Sequence, residues 1–489
     1  MSSSIKKQAT YLFVGRILAF VFQILIPIIF VRLLPLETYG AYQKIILICL
    51  FFAPLLQFGM SNSLLYFYPI VSGRQKQLLT NTFYFLLTIG ILFSVLLVFF
   101  KNEVASLFNT LEFVDLIYPS ALFILFYLVS EIIEKIFIVE QKNEMLAIYH
   151  LLNQSFRVIF LLVAIIIFRS LSALIWALVF FVLIKVIFLF LYLTINYGMK
   201  FSLISIKDLK EQFKYALPMG MGKIIGTIGK KIDKFILASL LISSDYAIYS
   251  VANFKLPFVQ LIYTSIGSVA LPKLSKIRDN GIEEIRQIWH KMIVTYTLIT
   301  IPFLIYFELV AKEFILFLYT EKYIESITPF RFFLLIMLFQ MLSYGTILKA
   351  YAKTRFIFKS NLIVMVIGFP ISLSLIKMMG TVGGAISALI IFGLNAIIQV
   401  YKTKQILKLK LSDLLPWEQL MKISIISLIP VPLIFLAIKF SFNRFLFLVV
   451  TTLLYFLSIL IIFTKMKMID INIKKKKINF PLVEGLYAK

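Results

Sequence analysis

The sequence predicts an all-α integral membrane protein of about fourteen transmembrane helices, and three observations lead to that fold class. First, 61% of the 489 residues are hydrophobic and only 15% are charged, against roughly a quarter in an average soluble domain. Second, apolar runs of about 20 residues, long enough to cross a bilayer, recur from end to end. Third, Lys and Arg are concentrated in alternate connecting segments. A lone segment in lipid can satisfy its backbone only as a helix, so each run is predicted to be helical.

The predicted spans follow the apolar runs in chain order. The first six cover residues 11–34, 40–68, 80–100, 116–139, 146–168 and 171–196. The next six cover residues 213–242, 246–271, 292–310, 327–348, 360–376 and 381–400. The last two cover residues 420–438 and 445–464. The first apolar run is too long for a signal-peptide core, so it is predicted to remain as the first membrane helix.

The formal charge of +26 is explained by topology. With both termini placed in the cytoplasm, cytoplasmic segments hold about 30 Lys and Arg and the opposite segments hold about 7. The last cytoplasmic segment includes the run Lys474–Lys477, which is suited to anionic lipid headgroups. A multi-pass protein of the inner membrane is therefore predicted, and nucleic acid is not an expected partner.

An internal repeat divides the chain. Tyr39 and Tyr42 follow the turn between the first two predicted helices, and Tyr246 and Tyr249 follow the turn between the seventh and eighth. Repeats of six helices are typical of transporters with a substrate path between two similar bundles. The predicted domains are an N-terminal bundle at 1–200, a C-terminal bundle at 201–410, and two peripheral helices with a basic tail at 411–489.

Ionisable side chains inside the spans are the candidate functional residues. A charge at mid-membrane costs roughly 2.5 to 3.5 kcal/mol on an insertion scale, so embedded cations are expected to face water or an anion. The candidate substrate-binding cations are Arg16, Arg157, Lys185, Lys223, Lys230, Lys231, Lys234 and Lys255. The candidate ion-coupling acids are Glu131, Glu134 and Asp233.

Two of these groups have competing interpretations. Lys223, Lys230 and Lys234 fall on one helical stripe roughly 40° wide, which either snorkels and pairs with Asp233 or forms the cationic wall of a wet cavity. The second interpretation is favoured. Glu131 and Lys135 are four residues apart and are suited to a local pair. Alternatively, Glu131 or Glu134 pairs across to Arg16 or Arg157 and opens that pair during transport.

Several classes of chemistry lack support in the sequence. It contains no phosphate-binding glycine loop, no His-Glu metal motif and no nucleophile triad, so no cofactor, no metal and no enzyme activity is expected. Polar residues such as Asn153, Gln154, Asn253 and Gln260 offer hydrogen bonds to sugars.

Four segments carry a family resemblance. They are Phe58-Gly-Met-Ser-Asn-Ser-Leu-Leu-Tyr66, Tyr246-Ala-Ile-Tyr249, Val269-Ala-Leu-Pro272-Lys-Leu-Ser275 and Gly380-Thr-Val-Gly-Gly-Ala385. Their order and spacing resemble the polysaccharide-exporter branch of the superfamily that includes MATE multidrug exporters and peptidoglycan-precursor flippases (the MOP superfamily). Within that branch, Wzx-type O-antigen flippases are the most similar.

The resemblance implies a function in transport. It implies a flippase that moves undecaprenyl-diphosphate-linked oligosaccharide, such as an O-antigen unit, to the outer leaflet by alternating access. Because the sequence has no nucleotide-binding motif, the energy is expected to come from a proton or sodium gradient or from the gradient of the substrate, and a polysaccharide polymerase is a candidate partner. The alternatives are a MATE-type antiporter, which needs embedded acids for organic cations, and a membrane polymerase or glycosyltransferase, which needs a large outer loop.

Overall fold

The structure is a computed structural model that describes residues 25–479, apart from 72, 111, 199–204, 255–256, 278–280, 439–442, 467, 469 and 473–476. Its packing contacts separate two compact units, Met1–Ser250 and Val251–Lys489. The domain boundaries predicted at residues 200 and 410 remain a prediction.

The first unit is helical throughout its described part. Its helices are α1 (25–33), α2 (Leu36–Leu56), α3 (Met60–Ile70), α4 (Gln75–Phe99), α5 (Lys101–Leu107), α6 (Glu112–Ser130), α7 (Ile132–Val139), α8 (Asn143–Phe168), α9 (Leu171–Tyr197) and α10 (Ile206–Leu240). Helix α11 (Ser243–Ala252) crosses into the second unit. The long helices α4, α6 and α9 pack side by side along buried apolar stripes, because lipid-facing and core-facing positions alternate with the helical period.

The second unit is also built of helices. They are α12 (Pro257–Ile277), α13 (Ile282–Leu309), α14 (Ala311–Tyr319), a 3₁₀ turn (Glu321–Ser326), α15 (Ile327–Gln340), α16 (Tyr344–Ala350), α17 (Thr354–Ile406), α18 (Trp417–Leu428), α19 (Val431–Ile438) and α20 (Arg444–Lys465). Helix α13 lies at the centre of this core, where Trp289 and Tyr306 are buried. The short antiparallel strands β1 (Asp470–Asn472) and β2 (Lys477–Asn479) follow the last helix.

These elements confirm the predicted all-α membrane fold. In the part of the chain that is described, nine helices are long and apolar enough to cross a bilayer; the total of fourteen remains a prediction. The predicted spans 360–376 and 381–400 lie in the single 53-residue helix α17. That helix is interrupted at Gly380, whose φ of 55° and ψ of −128° are not helical.

The second predicted span is broken into α2 and α3. Phe58 and Gly59 both have positive φ at the break, 45° and 79°, and glycine adopts this conformation without steric cost. Helix α10 packs directly on the break, because a Cβ on Gly220 would lie 2.3 Å from the carbonyl carbon of Phe58. A glycine is therefore needed on α10 for this close approach.

The two turns of the predicted repeat meet at one end of the first unit. A Cβ on Gly40, at the start of α2, would lie 1.7 Å from the carbonyl oxygen of Ser243, at the start of α11. All four tyrosines of the repeat are buried beside this contact; they are Tyr39, Tyr42, Tyr246 and Tyr249. The repeated motif thus provides buried rings that fix the two turns against each other.

Candidate substrate-binding site

The acidic residues of the candidate site lie where the fourth predicted span, residues 116–139, is divided into two helices. Helix α6 ends at Ser130 and α7 begins at Ile132, so Glu131 occupies the junction. Glu134 lies in the first turn of α7, and its carboxylate accepts a hydrogen bond from Lys135 at 3.1 Å. The expected pairing of Lys135 with Glu131 is wrong.

The partner of Glu131 is Lys185, near the middle of α9. The Lys185 ammonium lies 3.9 Å from Glu131 Oε1, and Lys185 is 9% exposed. It also lies 5.6 Å from the centre of the Tyr127 ring and 5.8 Å from the centre of the Phe181 ring. Aromatic faces at this distance attract a cation. The site therefore holds a buried cation with one loose carboxylate contact and two aromatic neighbours.

Arg157 of α8 completes the charged cluster. It interacts electrostatically with Tyr42 of α2, with Lys185 and with Tyr127. Glu131 pairs across helices with Lys185, and the ion pairs of the described residues include none between Arg157 and Glu131 or Glu134. The other candidate partner, Arg16, lies outside the described residues.

A cavity of about 380 Å³ reaches Lys185 from between α7, α8 and α9. Its walls are mostly aliphatic and aromatic; they comprise Phe137, Met145, Ile148, Tyr149, Leu152, Asn153, Phe156, Phe181, Ile184, Lys185 and Phe188. Asn153 Oδ1 is buried and has no hydrogen-bond partner among the described residues. Such a cavity is suited to a ligand with a large apolar part and one polar, anionic group.

The predicted cations of α10 are described only in part. Lys231 is half-buried and donates a hydrogen bond to the carbonyl of Leu50 in α2 at 3.0 Å. Lys234 interacts with Lys231 and with Asp233, and Asp233 accepts a hydrogen bond from Tyr249 at 3.2 Å. The side chains of Lys223 and Lys230, and all of Lys255, lie outside the described part of the structure. Their role in binding remains a prediction.

Sequence reasoning missed the aromatic components of the cluster. Tyr127 lies four residues before Glu131 and interacts with it electrostatically, and Phe181 lies four residues before Lys185. Residues four apart share one helix face. An aromatic residue four positions before an embedded charge was therefore the sequence signal that could have indicated these aromatic neighbours.

The fold and the cluster together define a class of protein. A polytopic helical protein with paired ionisable groups inside the bilayer is typical of substrate or ion pathways through membranes. The chain belongs to the family described as polysaccharide biosynthesis protein, which it matches over residues 29–328. The resemblance drawn from the four sequence segments is therefore confirmed at the level of the family.

Solved structures of membrane proteins share the fold of this chain. The structure is similar to the lipid II flippase MurJ in an inward closed conformation, with a TM-score of 0.72, 19% identity, and coverage of 92% of this chain and 99% of that chain. It is also similar to an inward-facing MATE multidrug transporter of the MOP superfamily, with a TM-score of 0.59, 16% identity, and coverage of 80% and 95%. At these identities the similarity is one of fold.

A curated relative supports the same family. An uncharacterized membrane protein in the cps region of Klebsiella pneumoniae is 26% identical over 204 residues. The match covers 40% of this chain and 41% of that relative, so it spans about two fifths of the relative's length.

Proposed function

We propose that this protein is a flippase that moves an undecaprenyl-diphosphate-linked oligosaccharide, an O-antigen or related polysaccharide repeat unit, across the bacterial inner membrane by alternating access. The single observation that carries the proposal is Lys185, a buried cation in the middle of a membrane helix that an apolar cavity reaches. An anionic headgroup joined to a hydrocarbon chain matches both parts of this site. Membership of a polysaccharide biosynthesis family supports a glycan-linked substrate.

The cation is available to an incoming phosphate. At 3.9 Å, the contact between Lys185 and Glu131 is longer than a hydrogen bond, so little is lost when the two separate. A phosphate oxygen within hydrogen-bond distance of Lys185 would contribute about 1.5 to 3 kcal/mol. Arg157 lies in the same cluster, and its planar guanidinium is suited to bidentate contact with phosphate.

The walls of the cavity suit the prenyl part of the substrate. The cavity presents an apolar surface of aromatic and aliphatic side chains around one ammonium, so a prenyl chain can contact these walls without leaving an apolar environment. A free sugar phosphate would bury little of that surface. The arrangement therefore favours a lipid-linked anion over a water-soluble one.

The rival functions fit less well. A multidrug exporter of organic cations would need a carboxylate free of cationic neighbours, whereas the Glu131 carboxylate lies 3.9 Å from the Lys185 ammonium. A polymerase would need a large outer loop. The two longest predicted outer segments are residues 101–115 and 311–326. The first contains the short helix α5, and the second consists of α14 and the 3₁₀ turn. The proposed topology has both termini in the cytoplasm. Coupling to a proton or sodium ion through Glu131, Glu134 or Asp233, and association with a polysaccharide polymerase, belong to the same proposal.

Flipping in reconstituted vesicles tests the function. The wild-type protein is expected to move a fluorescent undecaprenyl-diphosphate-linked oligosaccharide between leaflets, and Lys185→Met is expected to slow this about tenfold or more. One lost phosphate contact of about 1.5 to 3 kcal/mol predicts that loss. Collapse of the proton or sodium gradient in the same vesicles tests ion coupling.

Lys312→Ala is the matched control. Lys312 is an exposed lysine on α14, and its removal is expected to leave the flipping rate unchanged. Vesicles in which the wild-type protein moves no lipid-linked oligosaccharide would exclude the proposed function. Equal rates for the wild type and a correctly folded Lys185→Met variant would remove Lys185 from the site.

A further inference from the structure

A second cavity, of about 440 Å³, lies in the first unit between the end of α3, the start of α4 and the start of α10. Its lining differs from that of the Lys185 cavity, because polar and aromatic side chains line it together. They are Tyr66, Phe67, Ile70, Val71, Arg74, Leu78, Asp208, Glu211 and Gln212. The family match and the cluster around Lys185 do not account for this cavity.

Two helical stripes build the cavity. Tyr66 and Ile70 lie one turn apart on α3, and Asp208 and Gln212 lie one turn apart on α10. Residues at this spacing share one face of a helix. The end of α3 therefore presents an apolar stripe that contains the Tyr66 ring. The start of α10 presents a hydrogen-bonding stripe to the same space.

The apolar stripe contains a fixed and accessible aromatic ring. Tyr66 stacks on Tyr215 of α10, with ring centres 4.4 Å apart and planes inclined by 15°. Stacking on one side holds the ring, yet Tyr66 remains 47% exposed. A held aromatic ring with free surface offers a flat, weakly negative face to C–H groups.

The hydrogen-bonding stripe contains an unused acceptor. Gln212 is 1% exposed, and its amide nitrogen donates to Ser63 Oγ at 2.9 Å and to Thr82 Oγ1 at 2.8 Å. These bonds fix the orientation of the amide. Its Oε1 is buried and has no hydrogen-bond partner among the described residues. A buried acceptor in this position is costly unless a ligand hydroxyl or water donates to it.

The charges of the cavity disfavour an anion. Arg74 contacts Asp208 at 3.3 Å, and the carboxylate of Glu211 also lines the space. The two carboxylates outnumber the one guanidinium, so the lining as a whole disfavours a phosphate. The carboxylates accept hydrogen bonds from neutral hydroxyl groups, and the guanidinium donates them. The composition therefore differs in kind from the Lys185 cluster.

We propose that this cavity binds a neutral pyranose ring of the lipid-linked oligosaccharide, with Tyr66 under the ring and Glu211 and Gln212 accepting its hydroxyl protons. The assignment rests on the proposed function for the source of the saccharide. In the proposed topology this end of the bundle is cytoplasmic, so the subsite contacts the glycan before translocation.

The test uses free sugars, so that neither the prenyl chain nor the diphosphate contributes to binding. The protein in lipid nanodiscs is titrated with methyl β-glucopyranoside, methyl β-galactopyranoside and methyl α-mannopyranoside, and binding is followed by saturation-transfer NMR. Nanodiscs are needed because glycoside detergents would compete for the site. Tyr66→Ala is expected to weaken binding of at least one glycoside about tenfold, whereas Tyr66→Phe keeps the ring face and is expected to stay within about twofold.

Tyr118→Ala is the matched control, because Tyr118 is 55% exposed on α6 and is not part of the cavity. Glycoside binding that is absent, or equal in wild type and Tyr66→Ala, overturns the subsite. Binding of tetramethylammonium that depends on Tyr66, without glycoside binding, overturns it in favour of a cation site. The flipping assay on the same variants separates the two proposals: a wild type that flips without a Tyr66-dependent sugar signal refutes only the subsite, and the reverse result refutes only the flippase function.

Discussion

Lys44 and Lys185 are both buried lysines in membrane helices of the first unit, and their surroundings differ. Lys44, on α2, is fully buried, and its ammonium donates to the carbonyls of Phe108 at 2.7 Å and Leu241 at 2.6 Å. Lys185 has a single carboxylate at 3.9 Å and two aromatic rings, and a cavity reaches it. The first lysine has strong partners on the backbone, whereas the second keeps hydrogen-bonding capacity for a ligand.

The partners of Lys44 explain its structural role. Phe108 directly follows α5 and Leu241 directly follows α10, so both carbonyls belong to helix C-termini. Such carbonyls lack partners within their own helix and carry partial negative charge. Lys44 therefore joins the ends of two helices. A count of embedded cations alone does not separate this role from ligand binding.

The largest expected difference between the two lysines is in stability. Lys44→Met removes two short hydrogen bonds from a charged donor, and a third at 3.5 Å to the carbonyl of Asn109. The two short bonds each contribute about 1.5 to 3 kcal/mol, so the free energy of unfolding should fall by about 3 to 6 kcal/mol. Lys185→Met should cost about 1 kcal/mol, because its one ionic contact is loose. Unfolding of both variants in a graded SDS titration measures the difference. Equal losses of unfolding free energy in the two variants would show that Lys44 and Lys185 do not differ in their structural roles.

Some of the features compared for Lys44 and Lys185 could be predicted from the sequence, and others could not. The apolar runs, the repeated Tyr39 and Tyr246 turns and the embedded cations follow from composition and spacing, which act locally along the chain. The acceptors of Lys44 lie 64 and 197 residues away in sequence, and only tertiary packing brings them together. Likewise, the junction at Glu131 follows no glycine or proline signal, so its pairing with Lys185 could not be read from spacing.

Arginine substitutions at Lys44 and Lys185 are expected to have effects of intermediate size. The compact ammonium of Lys44 fits between backbone carbonyls, whereas a planar guanidinium is larger and needs a different donor geometry. Lys44→Arg is therefore expected to lower the free energy of unfolding by about 1 to 3 kcal/mol through overpacking. Lys185→Arg has the cavity beside it and retains the charge for phosphate, so its flipping rate should exceed that of Lys185→Met. The same SDS titration and vesicle assay test both expectations, and the reverse order would contradict the assignment of roles.

The smallest expected effect concerns the carboxylate that competes with the substrate for Lys185. Glu131→Gln keeps the shape of the side chain, but it removes the negative charge 3.9 Å from the ammonium. A loose ion pair whose carboxylate is partly exposed contributes up to about 1 kcal/mol, so the diphosphate-linked substrate should bind about two- to fivefold more tightly in this variant. Microscale thermophoresis with a short-chain polyprenyl diphosphate measures the change, and Glu103→Gln on α5, an exposed acid outside the cluster, is the control. Tighter binding would show that Glu131 holds Lys185 in the absence of substrate and yields it to phosphate. Weaker binding would mean that the carboxylate orients Lys185 for the ligand, and the loose contact would then be part of the binding site and not a competitor.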